Sequence, residues 1–207
     1  MKTKILKIKG DWEEVVDDCR LTVEKPPLGK EPSEKFKKAI LIAEHSPIRN
    51  ISVRFKWEHI KYCIAMHWKT HHWESKVNTQ REDRTNVRRD QRAQTDPVNF
   101  VGETNVQHMI DTWRKRLCGQ ADPETRMYAM DFKKELHKHE PEISDVLVPN
   151  CIYRCGCPEM GECCGLFAEF LKYCKAKNYP NPMLVSIPVR YEMYNEFFND
   201  SVEVLEL

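Results

Sequence analysis

The sequence predicts an α+β fold in a single domain, and three observations point there. In "ISVRFKW" the apolar residues Ile51, Val53, Phe55 and Trp57 alternate with Ser52, Arg54 and Lys56, the period of a strand with one buried face. Elsewhere, as in residues 33–45, 104–118 and 122–139, apolar residues recur three and four apart, the period of an amphipathic helix. The chain has 207 residues with no internal repeat and no low-complexity linker, which suits one domain spanning 1–207.

The elements follow in order. "KILKIKG" sets Ile5, Leu6 and Ile8 among lysines as a short first strand, and "EKPPLGKEP" is a Pro- and Gly-bearing loop. Ser33 caps a helix whose face carries Phe36, Ile40 and Leu41. "HSPIRN" turns the chain into the strand around Phe55. Glu58 to His72 has helical spacing, with Ile60, Cys63, Ile64, His67, Trp68 and His71 on one stripe. The arginine-rich stretch 76–97 has no useful period and is expected to be a long ordered loop or a mobile segment. Thr104 to Cys118 is helical, with Val106, Met109, Ile110, Trp113 and Leu117 on one side and Gly119 as its stop. Asp122 as N-cap and Pro123 at the first helical position open the next helix. "FAEFLKYCKAK" is a further amphipathic helix, and the tail from Pro180 is mixed and apolar.

Composition narrows the function. Lys plus Arg number 33 against 32 Asp plus Glu, so net charge gives no argument for nucleic acid or a membrane surface. No apolar stretch is long enough to span a bilayer, and "MKTKILKIKGDWEE" lacks the apolar core of a secretory signal. The nine cysteines are therefore expected as reduced thiols in the cytoplasm.

The stretch "AMHWKTHHWESKVNTQREDR" concentrates the polar chemistry. His67 and His71 stand four apart, a spacing that can bind a metal, but "HWKTH" lacks the acidic residue of helical metalloproteases. Imidazole and indole followed by Thr79, Gln80, Arg81 and Arg84 offer flat surfaces for a planar ring and donors for a phosphate. Glu82, Asp83 and Asp90 neutralise part of the arginine run, so a solvated face is the competing reading.

The segment "EHSPIRNISVRFKWEHIKYCIAMHWKTHHWESKVNTQR" resembles the core of the flavin-dependent thymidylate synthases. In that family a His-(Ser/Thr)-Pro-Phe-Glu-His turn precedes a strand, a helix ends in Gln-x-x-Arg-His-Arg, and a loop closes with Ser-x-Arg. "HSPIRN", "VRFKWEH", "HWKTHH" and "TQR" occupy these places in order. Farther on, "KRLCGQADPETR" resembles the family's Ala-Gln-x-Glu-Ile-Arg segment, keeping Arg116, Ala121, Glu124 and Arg126, with Asp122 in place of the glutamine. The departures are Thr70 and His72 for the two arginines flanking His71, His67 for the helix glutamine, and Arg49 and Asn50 for the turn's final Glu-His. The spacing leaves Arg81 and Arg84 as alternatives for the closing arginine.

The resemblance implies a central, mainly antiparallel sheet flanked by helices. It also implies methylation of deoxyuridine monophosphate (dUMP) with methylenetetrahydrofolate, FAD and NADPH, in a homotetramer whose active sites are shared between subunits. On that basis Arg81, Thr79, Gln80, Arg84 and Arg126 are the expected nucleotide ligands, with Arg126 also serving catalysis. His67, His71, His72, Arg116 and Asn50 are expected on the cofactor side. Two other readings compete: a transferase moving a different one-carbon group to a pyrimidine nucleotide, and a nucleotide- or nucleic-acid-binding relative without activity. The last ranks lowest, because acids are interleaved and no aromatic residue lies between Lys76 and Asn99.

"CIYRCGCPEMGECCG", within 151–165, carries a separate expectation. Cys151, Cys155, Cys157 and Cys163 are candidate ligands for zinc or an iron–sulfur cluster, although their spacing matches neither a zinc ribbon nor a ferredoxin run. Free cysteines packed as small hydrophobes are the alternative.

Overall fold

The alternation around Phe55 builds the centre of the sheet. A computed structural model of the protein describes residues 2–71 and 73–205. In it, β2 (Ser52–Lys61) lies between β1 (Thr3–Lys9) and β4 (Pro97–Asn105), and β3 (Glu74–Val77) completes the order β1-β2-β4-β3. Every pairing is antiparallel, as expected. Val53, Phe55 and Trp57 point inward and are fully buried, while Arg54, Lys56 and Glu58 stay on the polar face.

Two strand boundaries differ from the sequence expectation. The Glu58–His72 helix begins later, because β2 continues to Lys61 and α3 covers only Tyr62–Lys69. A bulge between Trp57 and Ile60, with His59 at φ +56°, shifts the register and returns Ile60 to the buried face. That shift breaks the alternation and gives the strand end a helical spacing. Residues 76–97 are not one loop: they hold the end of β3, the short α4 (Glu82–Thr85) and a 3₁₀ turn at Arg89–Gln91. β4 then takes Pro97–Asn105, including Thr104, and α5 (Val106–Arg116) starts after the Asn105 cap.

The other helices follow their caps. α1 (Trp12–Leu21), beyond those expected, starts where Asp11 accepts from the Glu14 amide at 2.8 Å. Ser33 caps α2 (Glu34–Ala43), and Asp122 caps α6 (Pro123–His137). Then come α7 (Pro141–Asp145), α8 (Asn150–Tyr153), α9 (Leu166–Ala176) and α10 (Ile187–Leu205). Among the described residues no helix is long and apolar enough to cross a membrane.

The core explains the indoles. Trp57, Trp68 and Trp113 are all fully buried, with Trp68 5.4 Å from Trp113 and 4.8 Å from Trp57 between ring centroids. Trp73 stacks on Trp68 at 5.7 Å. The expectation that both indoles border a ligand is therefore corrected for Trp68, a core residue. Its neighbour histidines remain at the surface end of α3, because the aromatic layer fixes which face of the helix is buried.

Candidate functional site

The polar cluster sits where the end of α3, the end of α5 and the start of α6 meet. Arg116, in the last turn of α5, donates from Nε to His71 Nε2 at 2.9 Å and from Nη2 to the His67 carbonyl at 3.4 Å. An arginine can only donate, so His71 Nε2 presents its lone pair and the neutral ring carries its proton on Nδ1. Burial disfavours the Arg116 charge, and nearby Asp122 opposes that effect.

On the other side of α3, His67 Nδ1 lies 3.0 Å from the Thr125 hydroxyl. Thr125, fully buried in the first turn of α6, gives Asp122 Oδ1 its backbone N–H at 2.9 Å and its hydroxyl at 3.2 Å. These bonds, the backbone one foremost, hold the Asp122 carboxyl below its usual range. The expected cofactor residues His67, His71 and Arg116 are thus one connected group. Asp122 and Thr125 were visible in the sequence only as a helix start; their side-chain role needs the fold to bring α3 against α6.

Asn50 stands apart from that group. The Asn50 amide donates to Asp18 on α1 at 2.6 Å, tying the turn to the first helix. His72 lies outside the described residues. Beside His71 an open cavity of about 580 Å³ is lined by Arg49, Trp73, Glu103, Asn105 and His108. His108 was not singled out in the sequence, and Arg49 only as a replacement in the turn before β2.

The expected nucleotide residues fall in two places. Arg81 is exposed and forks onto Asp83 with distances of 3.0 and 2.6 Å, while its backbone N–H donates to the Thr79 hydroxyl at 3.3 Å. Gln80 is half-buried beside it and Arg84 is exposed. Arg126 is half-buried, donates from Nε to the Leu117 carbonyl at 3.3 Å, and lines a separate cavity of about 510 Å³ with Tyr173, Tyr194, Phe197 and Asp200. Arg81 does not line that cavity.

Among the described residues no group of three or more His, Cys, Asp or Glu side chains is placed to hold a metal ion. Cys151 lies near enough to Cys118, Cys157 and Cys164 for these thiols to raise its pKa, while Cys155 turns elsewhere. Cys155 Sγ donates to the Pro182 carbonyl at 3.7 Å, and the Cys157 and Cys163 thiols pair with each other. Cys151 is buried, which pushes its thiol up to about 12. Cys164 turns instead to Cys118 at the end of α5, a partner that no spacing within the cysteine run could reveal. All nine cysteines are free.

This antiparallel sheet with helices packed on its buried face is an α+β fold shared with solved flavin-dependent thymidylate synthase structures. The flavin-dependent thymidylate synthase ThyX of Helicobacter pylori, solved with FAD and dUMP, superposes with a TM-score of 0.59 at 11% identity, over 72% of this chain and 100% of that one. The UMP/dUMP methylase PolB of Streptomyces cacaoi, solved with 5-Br dUMP, superposes with a TM-score of 0.56 at 10% identity, over 70% of this chain and 93% of that one. No family model and no curated protein matches the sequence.

Proposed function

We propose that this protein methylates dUMP, or a closely related pyrimidine nucleotide, in the manner of the flavin-dependent thymidylate synthases. The observation that carries this reading is the connected group His67, His71 and Arg116, formed at the junction of three helices in a fold shared with dUMP-binding enzymes. The residues around the His71 cavity fit a flavin. His71 and Trp73 present flat edges, Arg49 offers a cation for a phosphate, and Trp73 Nε1 is buried without a hydrogen-bond partner among the described residues. FAD, when bound, supplies the redox chemistry, with NADPH as reductant and methylenetetrahydrofolate as one-carbon source.

The protein's own residues bind and orient. Arg126, or Arg126 with Arg81 or Arg84, gives the nucleotide its charge-assisted hydrogen bonds, with Thr79 and Gln80 beside the phosphate. Arg81 and Arg126 occupy separate surfaces of one chain, so a site using both draws them from two subunits. This supports a homotetramer with shared sites. The free thiols are consistent with a cytoplasmic enzyme.

A second reading, transfer of another one-carbon group, is favoured by Thr70. Its hydroxyl donates to the His67 carbonyl at 2.7 Å and closes α3, so the guanidinium expected ahead of His71 is absent from the cofactor side.

The test is the visible absorption spectrum of freshly purified protein, with and without added FAD and then dUMP. A flavin band that shifts on adding dUMP places both rings in one site. No flavin under any condition removes the proposed redox chemistry.

A further inference from the structure

Asp122, Thr125 and His67 form a relay whose direction the hydrogen bonds determine. A threonine hydroxyl carries one proton. Thr125 gives that proton to Asp122 Oδ1 at 3.2 Å, and the same carboxylate oxygen also takes the Thr125 backbone N–H at 2.9 Å. At the 3.0 Å contact with His67 Nδ1, the hydroxyl oxygen is therefore the acceptor, and the imidazole must supply the proton. Thr125 is fully buried, which holds this geometry, whereas His67 is exposed on the last turn of α3. Arg116 meets His67 only at its carbonyl, at 3.4 Å, so it fixes the backbone of that turn and leaves the ring to Thr125.

We propose that Asp122 and Thr125 lock His67 as the Nδ1–H tautomer, making its Nε2 lone pair the proton acceptor of the candidate site. This rests on the proposed function for the proton's source. When carbon is attached at C5 of the pyrimidine, the C5–H bond breaks, its electron pair remains in the ring, and the proton passes to His67 Nε2. The C5=C6 electron pair forms the new bond to the methylene carbon of the one-carbon donor already named, whose carbon–nitrogen bond breaks with its pair leaving on nitrogen. The imidazolium that forms keeps its Nδ1–H bond to Thr125, and the ionised Asp122 stabilises it through the hydroxyl. Thr125 and Asp122 are positioning residues, since they act only through His67. His67 occupies the place of a glutamine in the flavin-dependent synthases, and an amide offers no comparable proton acceptor.

Two measurements test this. The first uses ligand-free protein and nitrogen-15 NMR of the histidine rings. His67 should show an Nδ1–H and a bare Nε2, and Thr125→Val should abolish that preference while Thr125→Ser retains it. An Nε2–H tautomer in the unmodified protein overturns the proposal whether or not the protein is active. The second follows release of tritium from C5-labelled dUMP during turnover. His67→Gln should slow release by about 100-fold, the lower end of what a positioned proton acceptor contributes, with the KM for dUMP kept within about threefold. Thr125→Val should lie between the two, and Thr125→Ser should recover most of the rate. Full rate in His67→Gln overturns the acceptor role. A locked tautomer in a protein that never turns over dUMP instead refutes the proposed reaction, and the tautomer assignment stands.

Discussion

Gly102 stands opposite Phe55 in the β2–β4 register, and a Cβ there would come within 2.5 Å of the Phe55 ring. Phe55 is fully buried against Trp57, Trp113 and Phe132, so its ring has little room to retreat. Gly102→Ala should destabilise the protein by about 1–3 kcal/mol through overpacking. An unchanged urea midpoint would show that the ring swings aside. Arg126 makes a different kind of prediction: among the described residues its Nε donates to the Leu117 carbonyl, and its terminal nitrogens are the donors proposed for a ligand. Arg126→Ala should weaken dUMP binding roughly 10- to 150-fold, the worth of a charged hydrogen bond, measured by titration calorimetry. Equal affinity would remove Arg126 from the nucleotide site. Among the cysteines, Cys163 is exposed, and the Gly165 backbone N–H, with the Cys157 thiol, lowers its pKa. Under limiting iodoacetamide Cys163 should alkylate ahead of buried Cys151 and Cys174, as mass spectrometry would read.

At the scale of elements, α6 and α7 are joined by a reciprocal pair. Lys133 Nζ donates to the Ser144 carbonyl at 2.5 Å, and the Ser144 hydroxyl donates back to the Lys133 carbonyl at 2.9 Å. Burial pushes the amine down to about 7 from an ordinary 10.5, with Asp145 opposing. Between those values the unfolded chain binds the proton that the folded one has lost. Stability therefore rises with pH across that window, by up to about 1.4 kcal/mol per unit. Cys151 and Cys174, pushed up to about 12 and about 11 by burial, act in the opposite sense only above the ordinary thiol value of 9.0. Urea unfolding at pH 7, 8 and 9 should thus show a rising slope that Lys133→Met removes. Parallel slopes would mean that the buried amine stays charged.

The elements also show what a sequence can reveal. Ser33 and Asp122 were legible as caps because capping depends on residues within one turn. The strand at Val53–Trp57 was legible because its period is unbroken. β4 was faint: of its buried positions Val98, Phe100, Gly102 and Thr104, only two are large and apolar. The end of β2 was disguised by a bulge within the strand, which shows only in its pairing with β4. The site divides in the same way. His67, His71 and Arg116 could be named from the sequence, whereas Thr125 and Cys118 take their roles from contacts between distant elements.

For the whole molecule the proposed function raises the question of how Arg81 and Arg126 would serve one ligand. Arg81 forks onto Asp83 in an exposed segment, and Arg126 is half-buried at the start of α6 beside Tyr194. Arg81 does not line the cavity beside Arg126, so under the proposed function the two guanidiniums would meet one ligand through association of subunits. Arg81→Ala and Arg126→Ala should each be nearly inactive alone. After the two are mixed, dissociated and reassembled in equal amounts, about a quarter of sites should combine an intact Arg81 from one subunit with an intact Arg126 from its neighbour. Turnover should then return to roughly a quarter of the unmodified rate, because a symmetric closed assembly distributes the variants at random. If each site instead took both arginines from one chain, every site would lack one of them, and no mixture would recover activity. Sedimentation of the same mixture separates this outcome from a failure to reassemble: tetramers without recovered turnover place both arginines on one subunit's site, or remove one of them from it.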